Sequence, residues 1–215
     1  LYNQNDFFTK ISNTTWTWKS NLGKELTLPL LPLKGDFQYN HAAAALQALE
    51  LIEPAILENT ELLENGITNI SLMGRYQTIS SNPEIVLDVA HNADSAEKLM
   101  DNLDKESKKN TIAVIGVLKD KDVYSLIKPM ISNVDKWYCG TINSDRGMNS
   151  EEIKIRMSSA INQKNIKTFD SIDEACSQAM ASLGENDRLV VYGSFYTVSE
   201  FLDYYELINK HKDII

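Results

Sequence analysis

Cysteine is scarce in this chain. Cys139 and Cys176 are its only two, far apart, one in a strand-like and one in a helix-like pattern. That pair supports neither a disulfide framework nor a zinc site, and a reducing, cytoplasmic setting is expected. Long apolar runs are also missing. With 43% hydrophobic and 24% charged residues and no stretch able to span a bilayer, the composition is that of a soluble globular protein with no membrane partner. Positive charge is in deficit, 21 Lys and Arg against 30 Asp and Glu, for a formal net charge of -9. A broad nucleic-acid surface needs clustered Lys and Arg, so nucleic acid is not an expected partner and any anionic ligand must be held by local devices. Internal repeats and low-complexity tracts are absent. So is an initiating methionine: the chain opens on Leu1-Tyr2-Asn3 without helix cap or strand pattern and is expected to be a piece of something longer.

What is present divides into two regions. From residue 7 to 30 the pattern is short and β-like, with Thr14-Thr15-Trp16-Thr17-Trp18-Lys19 alternating and a polar turn at residues 20–23, which predicts a β-meander. Past the breakers Pro29, Pro32 and Gly35, residues 40–51 form an Ala-rich helix pattern and residues 54–64 a second one. From Pro83 onward strands at 85–89, 111–117, 136–142, 167–169 and 188–192 alternate with helical periodicity at 95–103, 123–131, 150–160, 171–183 and 198–208. That alternation predicts an α/β fold: a Rossmann-like, mostly parallel sheet with helices on both faces, preceded by the small meander and its helices.

The most informative stretch is Ile85-Val86-Leu87-Asp88-Val89-Ala90-His91-Asn92, where an apolar run ends in polar side chains just as a helix begins. In open α/β folds ligands bind outside the carboxyl ends of the strands, which would place Asp88, His91 and Asn92 in that crevice. The alternative is that Asn92 or Asp94 merely caps the helix and His91 is a surface residue. Arg75, in Leu72-Met73-Gly74-Arg75-Tyr76-Gln77, either lies solvated on a connecting strand or presents its planar fork of donors to a phosphate near a hinge. Three further strand ends carry polar groups. Lys121, in Lys119-Asp120-Lys121-Asp122, faces a carboxylate or belongs to a solvated charge run with a capping Asp. Asn143-Ser144-Asp145-Arg146-Gly147 reads as a turn with a solvated arginine. Ser194, in Gly193-Ser194-Phe195-Tyr196-Thr197, grips an anionic oxygen together with free N–H groups or caps the next helix.

Taken together, Asn40-His41-Ala42-Ala43-Ala44-Ala45-Leu46, Gly74-Arg75-Tyr76-Gln77, Asp88-Val89-Ala90-His91-Asn92, Ile115-Gly116-Val117-Leu118-Lys119-Asp120-Lys121-Asp122, Trp137-Tyr138-Cys139 and Gly193-Ser194-Phe195-Tyr196-Thr197-Val198 are specific in order and spacing. The chain resembles the C-terminal part of the bifunctional dihydrofolate synthase/folylpolyglutamate synthase family, a branch of the Mur ligase superfamily. The resemblance implies that residues 1–73 end a central ATPase domain and that 74–215 form the glutamate ligase domain. It implies ATP-dependent amide formation, in which a carboxylate is phosphorylated and the amine of L-glutamate attacks the acyl phosphate. The acceptors would be dihydropteroate and the γ-carboxylate of folates.

By position in those motifs, Asn40 would hydrogen-bond adenine, Arg75 would contact the nucleotide phosphates and Asp88 would accept the ribose hydroxyls. His91, Asn92, Lys121 and Ser194 would bind glutamate and orient its amine, and His91 could instead approach the terminal phosphate. No general base is identified, and Tyr196 stands where many relatives carry His. The Gly-rich phosphate loop, the magnesium ligands and most of the folate pocket are expected upstream of Leu1, so no metal ligand is assigned and the chain alone is expected to be inactive. ATP, magnesium, L-glutamate and a pterin or reduced folate are the implied small molecules, and a monomer is implied. Rivals are a peptidoglycan-type Mur ligase, a non-catalytic nucleotide-binding module and a dinucleotide-binding oxidoreductase. The last requires Gly-x-Gly-x-x-Gly after the first strand, and Asp88-Val89-Ala90-His91-Asn92-Ala93 has no glycine.

Overall fold

A computed structural model describes residues 7–212. The chain divides into two compact units, Leu1–Leu72 and Met73–Ile215. In the first, β1 (Phe7–Ile11), β2 (Thr15–Ser20) and β3 (Glu25–Pro29) form the expected antiparallel meander. The alternation along β2 sends Trp16 and Trp18 to the inner face, where both are fully buried with Leu28, Ala43, Leu46 and Leu57. Trp16 meets Tyr39 edge to face, with ring centroids 5.4 Å apart. Helix α1 (Phe37–Ile52) supplies Ala43 and Leu46 from one stripe of its Ala-rich face.

The second helical pattern does not form one helix. Residues Pro54–Glu58 make a 3-10 turn, and α2 (Thr60–Thr68) starts afresh because the Asn59 side chain accepts from Leu62 N at 3.0 Å. Asn competes well for an N-cap and poorly for a helix interior, so the chain re-initiates there.

The second unit is a six-stranded sheet in the order β4-β5-β9-β6-β7-β8. Strands β5 (Glu84–Leu87), β6 (Thr111–Ile115), β7 (Lys136–Gly140), β8 (Ile166–Phe169) and β9 (Arg188–Tyr192) are parallel. Strand β4 (Gln77–Ser81) is antiparallel to β5, an element sequence reading missed. Its residues Gln-Thr-Ile-Ser-Ser carry one apolar side chain, so periodicity was blind to it; the Asn82-Pro83 turn was the usable signal.

Period-two alternation splits the strands' side chains between two cores. Val86, Ala113, Ile115, Trp137, Cys139 and Val190 face α3 (Ala93–Asp104), α4 (Val123–Ile127) and α5 (Ser150–Met157). Ile85, Leu87, Ile112, Val114, Tyr138 and Val191 face α6 (Ile172–Ala181) and α7 (Phe195–Lys212). Each fully buried Leu, Ile or Val is worth roughly 1.5–3 kcal/mol, so these layers fix the sheet and with it the strand ends. The sequential run from β4 to β8 is interrupted once, by β9, which inserts between β5 and β6. Polar loops converge outside the carboxyl ends on either side of that insertion. Among the described residues no helix is long and apolar enough to cross a membrane.

Candidate functional site

The loop after β5 carries Asp88, and both of its carboxylate oxygens are held by backbone. Tyr76 N donates to Oδ2 at 2.9 Å and Ala90 N donates to Oδ1 at 2.8 Å. Burial pushes the Asp88 carboxyl above its ordinary value, against the opposing pull of those two N–H donors and of the Arg75 charge. Each oxygen keeps a lone pair for a further donor.

The Tyr76 donor is aimed by an unusual backbone. Gly74 has φ +67°, and a Cβ there would lie 2.6 Å from the Val89 side chain; Tyr76 has φ +44°, in the left-handed region that L residues avoid. Such a residue costs of order 1–3 kcal/mol, and here it is clamped from outside: Val89 N donates to Gly74 O at 2.8 Å, and Gly74 N donates to the Gln77 side chain at 3.0 Å. The segment 74–77 is thus a tight turn fastened to the Asp88 loop, and it presents Arg75 outward to solvent.

His91 and Asn92 follow. The His91 ring places Nδ1 3.0 Å from Val89 O; a carbonyl only accepts, so Nδ1 carries the hydrogen and Nε2 is left for another partner. Asn92 caps α3: its Oδ1 accepts from Ser95 N at 2.9 Å, and Ser95 Oγ reciprocates by accepting from Asn92 N at 3.2 Å.

Ser194 caps α7 in a buried hydroxyl chain. Thr197 N donates to Ser194 Oγ at 3.0 Å, Thr197 Oγ1 donates to Gly116 O at 2.9 Å, and the two hydroxyls lie 2.8 Å apart. Since the Thr197 hydrogen goes to the Gly116 carbonyl, the Ser194 hydrogen points to Thr197 Oγ1. Gly193, at φ +115°, allows the approach: a Cβ there would sit 2.4 Å from Gly116 O.

Lys121 lies half-buried in the loop after β6 and pairs with Asp120 at 3.2 Å; Arg146, from the loop after β7, reaches the other Asp120 oxygen at 3.3 Å. Lys121 and then Arg146 hold the exposed Asp120 carboxyl below its ordinary value. The two loops are laced together by Lys119 N donating to Arg146 O at 2.9 Å and Met148 N donating to Val117 O at 2.9 Å. Asn40, in the first unit, lies exposed in the opening turns of α1.

The structure therefore gathers Arg75, Asp88 and His91 at the ends of β5 and β9. It holds Lys121 with Asp120 and Arg146 at the ends of β6 and β7. Asp88 bonds to Tyr76 and Ala90 rather than to Lys121 or Ser194. Sequence reasoning missed Phe195, whose ring has the Arg75 guanidinium 6.0 Å from its centroid and the His91 ring 6.4 Å away. Among the described residues there is no group of three or more His, Cys, Asp or Glu that could hold a metal ion.

Fold and site together define a doubly wound α/β domain with its polar groups gathered at the carboxyl edge of the sheet, where such folds bind ligands. The chain belongs to the Mur ligase family: residues 74–195 match its glutamate ligase domain. It is 34% identical over 197 residues to the dihydrofolate synthase/folylpolyglutamate synthase of Escherichia coli strain K12, covering 90% of this chain and 43% of that protein. It is 28% identical over 207 residues to the protein of the same name from Haemophilus influenzae, covering 86% of this chain and 46% of the relative.

Among solved structures, the fold matches E. coli FolC in complex with ADP, with TM-score 0.76, 29% identity, and coverage of 95% of this chain and 47% of that one. It also matches a bifunctional folylpolyglutamate synthase/dihydrofolate synthase with Mn, AMPPNP and L-glutamate bound, with TM-score 0.75, 27% identity, and coverage of 94% and 46%. The chain thus spans just under half the length of these relatives.

Proposed function

We propose that this chain is part of an ATP-dependent ligase that joins L-glutamate to dihydropteroate and to the γ-carboxylate of folates. The observation that carries the reading is the match to a glutamate ligase domain over the very residues, 74–195, that supply the strand-end loops. In this reading residues 1–73 belong to the ATPase domain and 74–215 are the glutamate ligase domain.

Asn40 takes the adenine edge, because a carboxamide offers donor and acceptor together. Arg75 contacts the phosphates and Asp88 accepts the ribose hydroxyls. His91 and Lys121 serve glutamate directly. A lysine ammonium suits a carboxylate, and His91 Nε2 is the ring nitrogen left to face the amino acid or the terminal phosphate. Asn92 and Ser194 serve it through the helix starts they cap, where backbone N–H groups and the positive end of the helix favour an anion.

The chemistry balances in two transfers. The substrate carboxylate attacks the γ-phosphorus of ATP, ADP leaves, and a mixed anhydride remains. The glutamate amine, having given up a proton, then attacks the acyl carbon, and inorganic phosphate departs as the amide forms. Magnesium is the divalent ion proposed to accompany ATP. The relatives solved with ADP, with DHPP and with Mn, AMPPNP and L-glutamate support the ligand set. A monomer in reducing cytoplasm, without nucleic-acid or membrane partners, completes the proposal; the buried free thiols of Cys139 and Cys176 are in keeping with it.

The test is phosphate release by the full-length protein given ATP, with dihydropteroate or tetrahydrofolate as acceptor. Release that requires both the acceptor and L-glutamate supports the proposal. Release without glutamate, or only with another amino acid, defeats it.

A further inference from the structure

Phe195 is 60% exposed, a large apolar ring left in water at the first position of α7. Its backbone is nevertheless anchored on both sides. The preceding residue is locked by the buried Ser194–Thr197–Gly116 hydroxyl chain, and Gly193 N donates to Ala90 O at 2.9 Å, tying the turn before Phe195 to the loop that carries His91. From this mount the ring reaches two neighbouring side chains, Arg75 and His91. The Arg75 guanidinium carbon lies 6.0 Å from the ring centroid, within reach of a cation–π contact. The His91 ring lies 6.4 Å from it at an interplanar angle of 42°, a tilted aromatic pair. Arg75 is exposed on a tight turn, and His91 is anchored only through Nδ1.

We propose that Phe195 is a positioning residue that holds Arg75 and His91 at a fixed separation, so that the group facing the nucleotide and the group facing the amino acid keep one geometry. It rests on the assignment of Arg75 and His91 made above. A long arginine side chain loses much conformational freedom when it binds a ligand, and an aromatic face that restrains it beforehand reduces that loss. The same ring, by bearing on His91, limits rotation of the imidazole about its Nδ1 anchor. Phe195 itself needs no contact with substrate for this role.

The test uses the full-length protein with Phe195→Leu, which keeps apolar bulk but removes the π face, and Phe195→Tyr, which keeps the face. Phe195→Leu is expected to raise the KM for ATP by about two- to fivefold, the worth of an exposed cation–π contact. The KM for L-glutamate rises with it, and Phe195→Tyr restores both. Ring-current shifts of the Arg75 Nε proton and of the His91 ring protons give a readout that mere folding does not move. They are expected in the native protein and in Phe195→Tyr, and lost in Phe195→Leu. Native shifts that survive Phe195→Leu, or their loss without change in either KM, overturn the proposal. Arg75→Gln separates the two levels of inference: if that variant keeps its KM for ATP, the assignment of Arg75 to the nucleotide has failed, while the ring-current result still decides what Phe195 holds.

Discussion

Asp88 and Lys121 make opposite demands on their surroundings, and the difference can be measured. The Asp88 carboxylate is desolvated and fed by two backbone N–H groups, so it is a fixed acceptor; Lys121 is a half-buried cation on a loop, paired only with an exposed carboxylate. In the full-length protein Asp88→Ala should raise the ATP requirement by about tenfold or more, the worth of hydrogen bonds to a charged acceptor. Lys121→Ala should act chiefly on the glutamate requirement. Steady-state titrations of each substrate against each variant check this, and identical profiles would merge the two subsites.

Acidity adds a second residue-scale prediction. Burial raises the Asp88 carboxyl, so it takes up its proton at a higher pH than an ordinary aspartate. Nucleotide affinity should therefore begin to fall on acidification before free carboxylates titrate, and Asp88→Asn should flatten that slope in calorimetric ADP titrations. The stability sign is the reverse. A folded carboxyl that holds its proton more tightly than the unfolded one favours folding at low pH and loses that contribution as pH rises through the raised value.

At this scale the sequence was informative about residue type and poor about direction. Asp88-Val89-Ala90-His91-Asn92 could be placed at a strand end, and a capping Asn92 was one of the two readings it offered, but residue type alone did not choose between cap and ligand group. Nor did it tell that the Asp88 oxygens would be met by Tyr76 N, because that donor depends on a left-handed tyrosine twelve residues upstream.

Among the elements, the β4–β5 hairpin and β9 are joined at the edge of the sheet opposite the site by a charge cluster the site does not use. Glu84 opens β5 and Arg188 opens β9, paired in register; Arg188 Nε donates to Glu84 Oε2 at 2.8 Å, and Lys109 Nζ reaches the same oxygen at 2.9 Å. Both members of the pair are nearly fully buried, and removing Arg188 leaves the Glu84 charge to Lys109 alone. Arg188→Met should cost about 3 kcal/mol, the low end for a broken buried pair because Lys109 still faces the carboxylate, read by urea denaturation. Burial alone would raise the Glu84 carboxyl, but the hydrogen bonds and charges of Lys109 and Arg188 outweigh it and leave it below its ordinary 4.5. Its contribution is therefore complete above that value and disappears as pH falls through the depressed folded value. Glu84→Gln should remove this part of the acid sensitivity.

Glycine gives a paired control. Gly193→Ala meets Gly116 O at 2.4 Å from a φ of +115° and should destabilise by more than about 1 kcal/mol, the usual gain from a compatible Gly→Ala change turned into loss. Gly66→Ala, in the exposed middle of α2 with open space around it, should stabilise by roughly 0.4–1 kcal/mol. Denaturation midpoints of the two variants should move in opposite directions.

Elements buried on both faces, β6 and β9 above all, were legible because continuous Val, Ile and Leu runs have few other uses. Strand β4 was not, because an edge strand needs no apolar pattern and its pairing is set by β5. The split after Glu58 was not, because the periodicity runs on through Asn59 while the cap decides.

For the whole molecule, the three tryptophans divide usefully: Trp16 and Trp18 are in the core of the first unit, and Trp137 is in a core of the second. The buried clusters follow the same division, with two facing layers in Met73–Ile215 and one smaller core in Leu1–Leu72. A domain folds alone when its own core offsets its conformational entropy, and that balance improves with size. Met73–Ile215 has every strand of its sheet, helices on both faces, and the Glu84–Arg188 clamp within itself. Expressed on its own, it should fold, show a blue-shifted Trp137 emission, and unfold in one cooperative urea transition with a slope of about 1–3 kcal/mol per molar. The ring-current shifts of Arg75 and His91 against Phe195 should persist in it, since all three side chains lie in this unit. A red-shifted emission at zero denaturant, or a gradual unfolding curve, would mean that the sheet needs residues before 73, and the division of the chain into two units would not hold as a division of stability.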